Sequence, residues 1–138
     1  MFAAAVPRNA SSAYRAVHAE TSVSSASPHR LVAMLFEGLS DELARARGAM
    51  QDGRIADKGS AIGRAVRIVE EGLRSSLNLE QGGAVASELN DLYGYVALRL
   101  THANLRNDLA ALQECSDLIE PVKNAWAAIA PAHATPAR

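Results

Sequence analysis

The chain has 138 residues, enough for one domain with a modest core. Fourteen basic and fifteen acidic side chains leave a net charge of −1, which offers no field for nucleic acid and no acidic solvating tail. Hydrophobic residues make up 49% but aromatics only 4%, so the core must be built from Ala, Leu, Val and Ile.

Alanine occurs 28 times and leucine 15 times, a bias toward helices packed closely through small side chains. The one cysteine, Cys115, cannot form an internal disulfide, which fits a reducing compartment. The start, MFAAAVPRNA, has no charged region before its short apolar run and does not read as a secretory signal. No stretch approaches the roughly 20 apolar residues of a membrane span. These features together lead to an expectation of a cytoplasmic, all-α chain.

Residues 1–27 are rich in Ala, Ser and Asn and read as a flexible segment with one short helix around Ser12 to Glu20. Ser27-Pro28 then starts the first long helix. Serine caps the free N–H groups of a first turn, and proline loses nothing where its N–H would be unpaired anyway. Leu31, Leu35, Leu39 and Leu43 repeat every four residues as a core stripe, widened by Val32, Phe36, Ala46 and Met50. Gly53 in QDGR ends it.

The second helix is expected from Ile55 or Asp57 to Leu79, with Ile62, Val66, Val69, Leu73 and Leu77 inward. Lys58, Arg64, Arg67, Glu71 and Arg74 fall on the other, solvated side. EQGG, 80–83, breaks it. The third helix runs from about Ala84 to Arg106, its core stripe being Leu89, Leu92, Val96, Leu100 and Ala103. RND, 106–108, is a tight turn or a kink, because Asn and Asp compete for nearby backbone groups.

The last helix carries Leu112, Cys115, Leu118, Val122, Trp126 and Ile129, with a kink expected at Pro121. Residues 131–138 read as a frayed tail, which leaves 28–130 as the folded body. Short connections make successive helices antiparallel neighbours. The fold expected is an antiparallel up-and-down four-helix bundle with a short N-terminal helix or cap segment.

Chemistry is hard to place on this chain. Di-iron bundles need Glu-x-x-His pairs, and none of His18, His29, His102 and His133 has a Glu three residues before it. One cysteine allows no Cys-x-x-Cys, so no metal and no cofactor is expected. Cys115 lies on the apolar stripe and reads as a buried structural thiol. Gly82-Gly83 reads as an interhelix turn rather than a phosphate loop. His102 could carry a phosphate in a phosphotransfer or other signalling bundle, but LTHANLRN lacks a neighbouring lysine and glycine. It reads as a helix-surface histidine, and His29 as a first-turn surface residue. The chain is not expected to be an enzyme.

The third helix has apolar residues off its core stripe: Tyr93, Tyr95, Leu98, Leu105 and, just beyond it, Leu109. A central bundle helix touches two neighbours, so a wide stripe can be core. It can also be a groove for another chain.

Four blocks, in order, resemble the flagellar export chaperone family, FliS. They are AYRAVHAETSVSSASPHRLVAMLFEGLSDEL at 13–43, IGRAVRIVEEGLRSSLNLEQGGAVASEL at 62–89, LYGYVALRLTHANLRND at 92–108, and a closing tryptophan, Trp126. The resemblance covers about 13–128. It departs at Gly94, where the family often has Asp, and at Val96, where it usually has Met.

The resemblance implies a protein that binds the disordered C-terminal segment of flagellin in the cytosol. It would prevent premature polymerisation and present the client to the type III export gate. The charge balance argues against nucleic acid, the lack of a long apolar run against membrane insertion, and an alanine-rich surface of near-zero charge allows a monomer or a weak homodimer. The client would lie along grooves of the bundle. Tyr93, Tyr95, Leu98 and Leu105 then have two readings, client contact or core. Tyr14 would plug the groove or touch the client. Arg99 would form a surface ion pair near the client path. Asn104, Asn107 and Asp108 would either bond client backbone or cap the helix junction.

Overall fold

The computed structural model describes residues 26–134, with side chains described as far as Ile129. The short helix expected near Ser12–Glu20, together with Tyr14 and His18, lies outside the described residues, as does the end of the tail from 135.

Helix α1 spans Pro28–Gln51. The Ser27 hydroxyl accepts the Arg30 N–H at 3.1 Å, and Pro28 opens the first turn, as the sequence predicts. The helix ends where Gly53 takes φ +74°, a left-handed conformation that glycine adopts without steric cost. Helix α2 spans Ile55–Arg67 and passes directly into a π-helical segment, Ile68–Arg74. A turn over 75–82 leads to α3, Gly83–Arg106. Asn107 turns the chain at φ +54°, and α4 follows as Leu109–Ala134.

Each helix packs on the next, and α4 closes on α1, giving the expected antiparallel four-helix bundle. No strand occurs among the described residues. The core runs along the axis through Phe36, Leu39, Ile62, Val69, Leu73, Val96, Leu100, Leu112, Cys115 and Ile119.

Several expectations need correction. The second helix stops at Arg74 rather than Leu79, and its last part is π-helical. The wider π turn brings Ile68, Val69 and Leu73 into the core together. It also sets Gly72 against α1, where an added Cβ would lie 2.7 Å from a Leu35 methyl.

Leu31 is 39% exposed, not core. A strict four-residue repeat drifts about 40° per step round a 3.6-residue helix, so Leu31 is turned about 120° away from Leu43. Ile129 is exposed, and Ile119, off the predicted stripe, is buried in its place. Helix α4 runs on through Pro121 as one element and reaches Ala134, past the start of the expected frayed tail. RND forms a tight turn. Lys58 and His29, both assigned to solvent, are packed into the structure as described below.

Candidate docking surface on the third helix

Helix α3 has two apolar faces, and the structure separates them. Val96, Leu100 and Ala103 are fully buried, with Leu89 and Leu92 partly so. Tyr93 joins them at 3% exposure, so of its two readings the structure places it in the core. Burial raises its hydroxyl pKa to about 12. Tyr95, Leu98 and Leu105 are 44%, 71% and 78% exposed. They recur at steps of three and seven, so they form a ridge along the outside of α3.

Beside this ridge runs an open groove of about 530 Å³. Val66, Glu70 and Arg74 line it from the second helix, and Gly94, Tyr95, Ala97, Leu98 and Thr101 line it from α3. The Arg74 guanidinium crosses the groove. Its Nε donates to Asn90 Oδ1 at 2.8 Å, and its Nη1 pairs with Glu70 at 3.0 Å. A Cβ at position 94 would stand 3.1 Å from Arg74 Nη2. Gly94 is therefore what lets the arginine lie flat on α3. A side chain there would have to displace it.

On the other flank, Tyr95 and Arg99 both reach α4. The Tyr95 hydroxyl donates to Glu114 Oε2 at 2.5 Å, and Arg99 Nε donates to Glu114 Oε1 at 2.9 Å. The Tyr95 bond, and after it the Arg99 bond, hold the Glu114 carboxyl below its usual range. The same contacts raise Tyr95 and Arg99. Arg99 thus makes the ion pair expected of it. Tyr95 is anchored by its hydroxyl while its ring stays wet.

At the far end of the ridge, the polar residues are engaged within the chain. Asn107 is the left-handed cap of α3, and its Oδ1 accepts from Lys58 Nζ at 3.1 Å. The carbonyl of Asn104 accepts from the same ammonium at 2.9 Å. Lys58 is only 4% exposed, a buried pin between α2 and the α3–α4 junction that the sequence reading missed. Asp108 Oδ1 accepts the Ala111 N–H at 3.0 Å and caps α4, while Oδ2 lies 3.2 Å from His102 Nε2. The backbone bond from Ala111, with His102 adding to it, lowers the Asp108 carboxyl. Asn107 and Asp108 have thus taken the capping role; the Asn104 side chain is half-buried beside Gly59.

Compared with known proteins, residues 10–133 match the family model described as flagellar protein FliS. The chain belongs to the FliS family. It is 43% identical to the flagellar secretion chaperone FliS of Salmonella typhimurium, over 86% of this chain and 88% of that protein. It is 45% identical to the flagellar secretion chaperone FliSB of Pseudomonas aeruginosa, over 82% of this chain and 89% of that protein. With the corresponding chaperone of Vibrio cholerae it shares 38% identity over 90% of both chains.

FliS proteins are chaperones, not enzymes. In this FliS-family chain Cys115 is fully buried with Sγ 3.7 Å from the Val96 carbonyl, and burial pushes its thiol up to about 12. Among the described residues no three His, Cys, Asp or Glu side chains cluster as metal ligands. No described helix is long and apolar enough to cross a membrane.

His29, like Lys58, was assigned to solvent and is instead partly buried. Its ring stacks on Trp126, with centroids 4.7 Å apart and planes 7° from parallel. Its signal was the matched tryptophan itself, which needs a partner for its indole N–H wherever it is partly buried.

Proposed function

We propose that this chain is a cytoplasmic export chaperone that binds the disordered C-terminal segment of flagellin. It keeps the client from polymerising early and delivers it to the flagellar type III export apparatus. Family membership supports the class, since the relatives are named flagellar secretion chaperones. The observation that carries the binding mode is the exposed Tyr95–Leu98–Leu105 ridge beside the α2–α3 groove.

The physics favours such a ridge. A disordered client loses chain entropy on binding and must recover it by burying apolar surface. Helix-in-groove recognition does so through anchors at helical spacing, and Tyr95, Leu98 and Leu105 have that spacing. Arg99 and Arg74 would then set the charge on either side of the client, and Tyr14 would act from the segment that precedes α1. Client recruitment requires a free face of α3, which suits a monomer or a weak dimer that leaves it open.

Calorimetry against a peptide spanning the C-terminal segment of flagellin from the same organism tests the reading. The expected signature is one-to-one binding with favourable enthalpy and a negative heat-capacity change. Absence of binding at tens of micromolar would sink the flagellin assignment and leave family membership standing. Tight binding indifferent to Leu98→Ala and Leu105→Ala would keep the client and move the site.

A further inference from the structure

Helix α4 is held in two different ways along its length. Up to Ile119 it is a core helix, with Ala111, Leu112, Cys115 and Ile119 fully buried. From Glu120 to Ile129 no residue is buried, and only Val122, Lys123 and Trp126 are even partly covered. The change falls at Pro121, which has no N–H to give the Asp117 carbonyl and so removes one rung of the helix at that point.

Val122 and Trp126 of the distal part pack against the core, and among the described residues its side-chain hydrogen bonds to the rest of the bundle all run to α1. Trp126 Nε1 donates to the His29 carbonyl at 3.0 Å. His29 Nε2 lies 2.8 Å from the Trp126 carbonyl. A carbonyl only accepts, so this nitrogen carries the proton. The two rings stack face to face between these bonds. Nearer the hinge, Lys123 Nζ donates to Ser40 Oγ at 3.1 Å.

We infer that α4 beyond Pro121 is a strap, hinged at the proline and latched to the first turn of α1 by the reciprocal His29–Trp126 clasp. Released, it would uncover Val122 and Trp126, which pack against the core at this end of the bundle. It would leave the α1–α2–α3 packing and the proximal half of α4 intact. The latch sits two residues after the Ser27 cap, in the first turn of α1. This inference does not depend on what the α3 ridge binds.

Native-state hydrogen exchange on the full chain tests it, read by mass spectrometry without any client. In the unaltered protein, amides 122–130 should exchange together, about ten-fold or more faster than amides 112–119. His29→Ala should speed 122–130 by about a further ten-fold, the effect starting at residue 122 and leaving 112–119 unchanged. Trp126→Phe keeps an aromatic ring for stacking, though a smaller one, and removes the indole N–H. It should give the same pattern at smaller size, and it stands in for His29→Ala if that variant does not fold. Three results would overturn the strap: acceleration confined to the last turn, which is ordinary end fraying; equal acceleration along all of α4; or no acceleration in either variant.

Discussion

At the end of the bundle where α1 turns into α2 and α3 turns into α4, the core is closed. Ala46, Ala49, Ala61, Ala65, Ala103 and Ala111 let the backbones approach, and Ile62, Leu100 and Leu112 fill what remains. Lys58 ties α2 to the α3–α4 turn from inside. At the opposite end Met34, Phe36, Leu73 and Tyr93 are buried, but the large side chains around them are only partly covered: Val32, Leu35, Leu77, Leu89, Leu92, Leu118, Val122 and Trp126. There α2 has given way to a π turn, and α4 is past its proline. Small residues allow a bundle to seal without aromatics, whereas large ones at a splayed end leave apolar surface that other chain can cover. One end of this molecule holds the fold together, and the other is where it can give.

The sharpest way to break that contrast is to cut the same side chain at both ends. Leu100→Ala removes a fully buried leucine from the closed end and should cost about 2–5 kcal/mol in chemical denaturation. Leu89→Ala, on the same helix but half-buried at the open end, should cost about 1 kcal/mol, since less surface returns to water and the site can relax. Equal losses at the two positions would mean that the open end is packed as firmly as the closed one.

Lys58→Met keeps most of the volume and removes the ammonium. The Asn104 carbonyl and Asn107 Oδ1 then lose a buried donor, and stability should fall by about 1–3 kcal/mol. A change below about 0.5 kcal/mol would show that water replaces the pin and that alanine packing alone closes this end.

On the outer face of α3 the expected effect moves from stability to binding. Leu98→Ala and Leu105→Ala should leave unfolding within about 0.5 kcal/mol of the parent, because both side chains already face water. Each should weaken flagellin-segment binding by roughly ten-fold, the usual size for a good apolar anchor. Tyr93→Phe, from the core face, should do neither to a comparable degree.

The bundle itself was legible because Ser27-Pro28, Gly53, Gly82-Gly83 and Asn107-Asp108 are local signals with local causes, whereas the end of the second helix at Arg74 carries none. The ridge was legible only as an ambiguity. Periodicity marks Tyr93 and Tyr95 as off the main stripe, but they point about 200° apart round the helix, and which of them is core depends on where the neighbouring helices stand. The π segment could not be read, because it arises when α2 must bring Ile68, Val69 and Leu73 inward together, a demand of packing and not of propensity. Lys58 and His29 were misread for one reason. A charged or polar side chain on an otherwise polar arc looks solvated until a carbonyl from a distant helix end is brought against it. Those acceptors are Asn104, 46 residues on, and Trp126, 97 residues on.

The smallest effect expected is also the one that tests the link between α3 and α4 along the docking face. Glu114 is held below its usual value of 4.5 by the Tyr95 hydroxyl and then by Arg99. A carboxyl with a depressed folded pKa stabilises the fold fully above its unfolded value, and that contribution disappears as pH falls through the folded value. Tyr95 is shifted the other way, above 10.0, so its share is complete below that pH and is lost as pH rises past it. The advantage of the parent over Glu114→Gln should therefore be flat between these limits and vanish in acid well below 4.5, with Asp108 contributing to the acid limb in both proteins. All three partners are solvent-accessible, so added salt should shrink the plateau. A difference unchanged into strong acid would mean that the charge of Glu114 plays no part in the contact. The wet ring of Tyr95 would then be positioned by geometry alone.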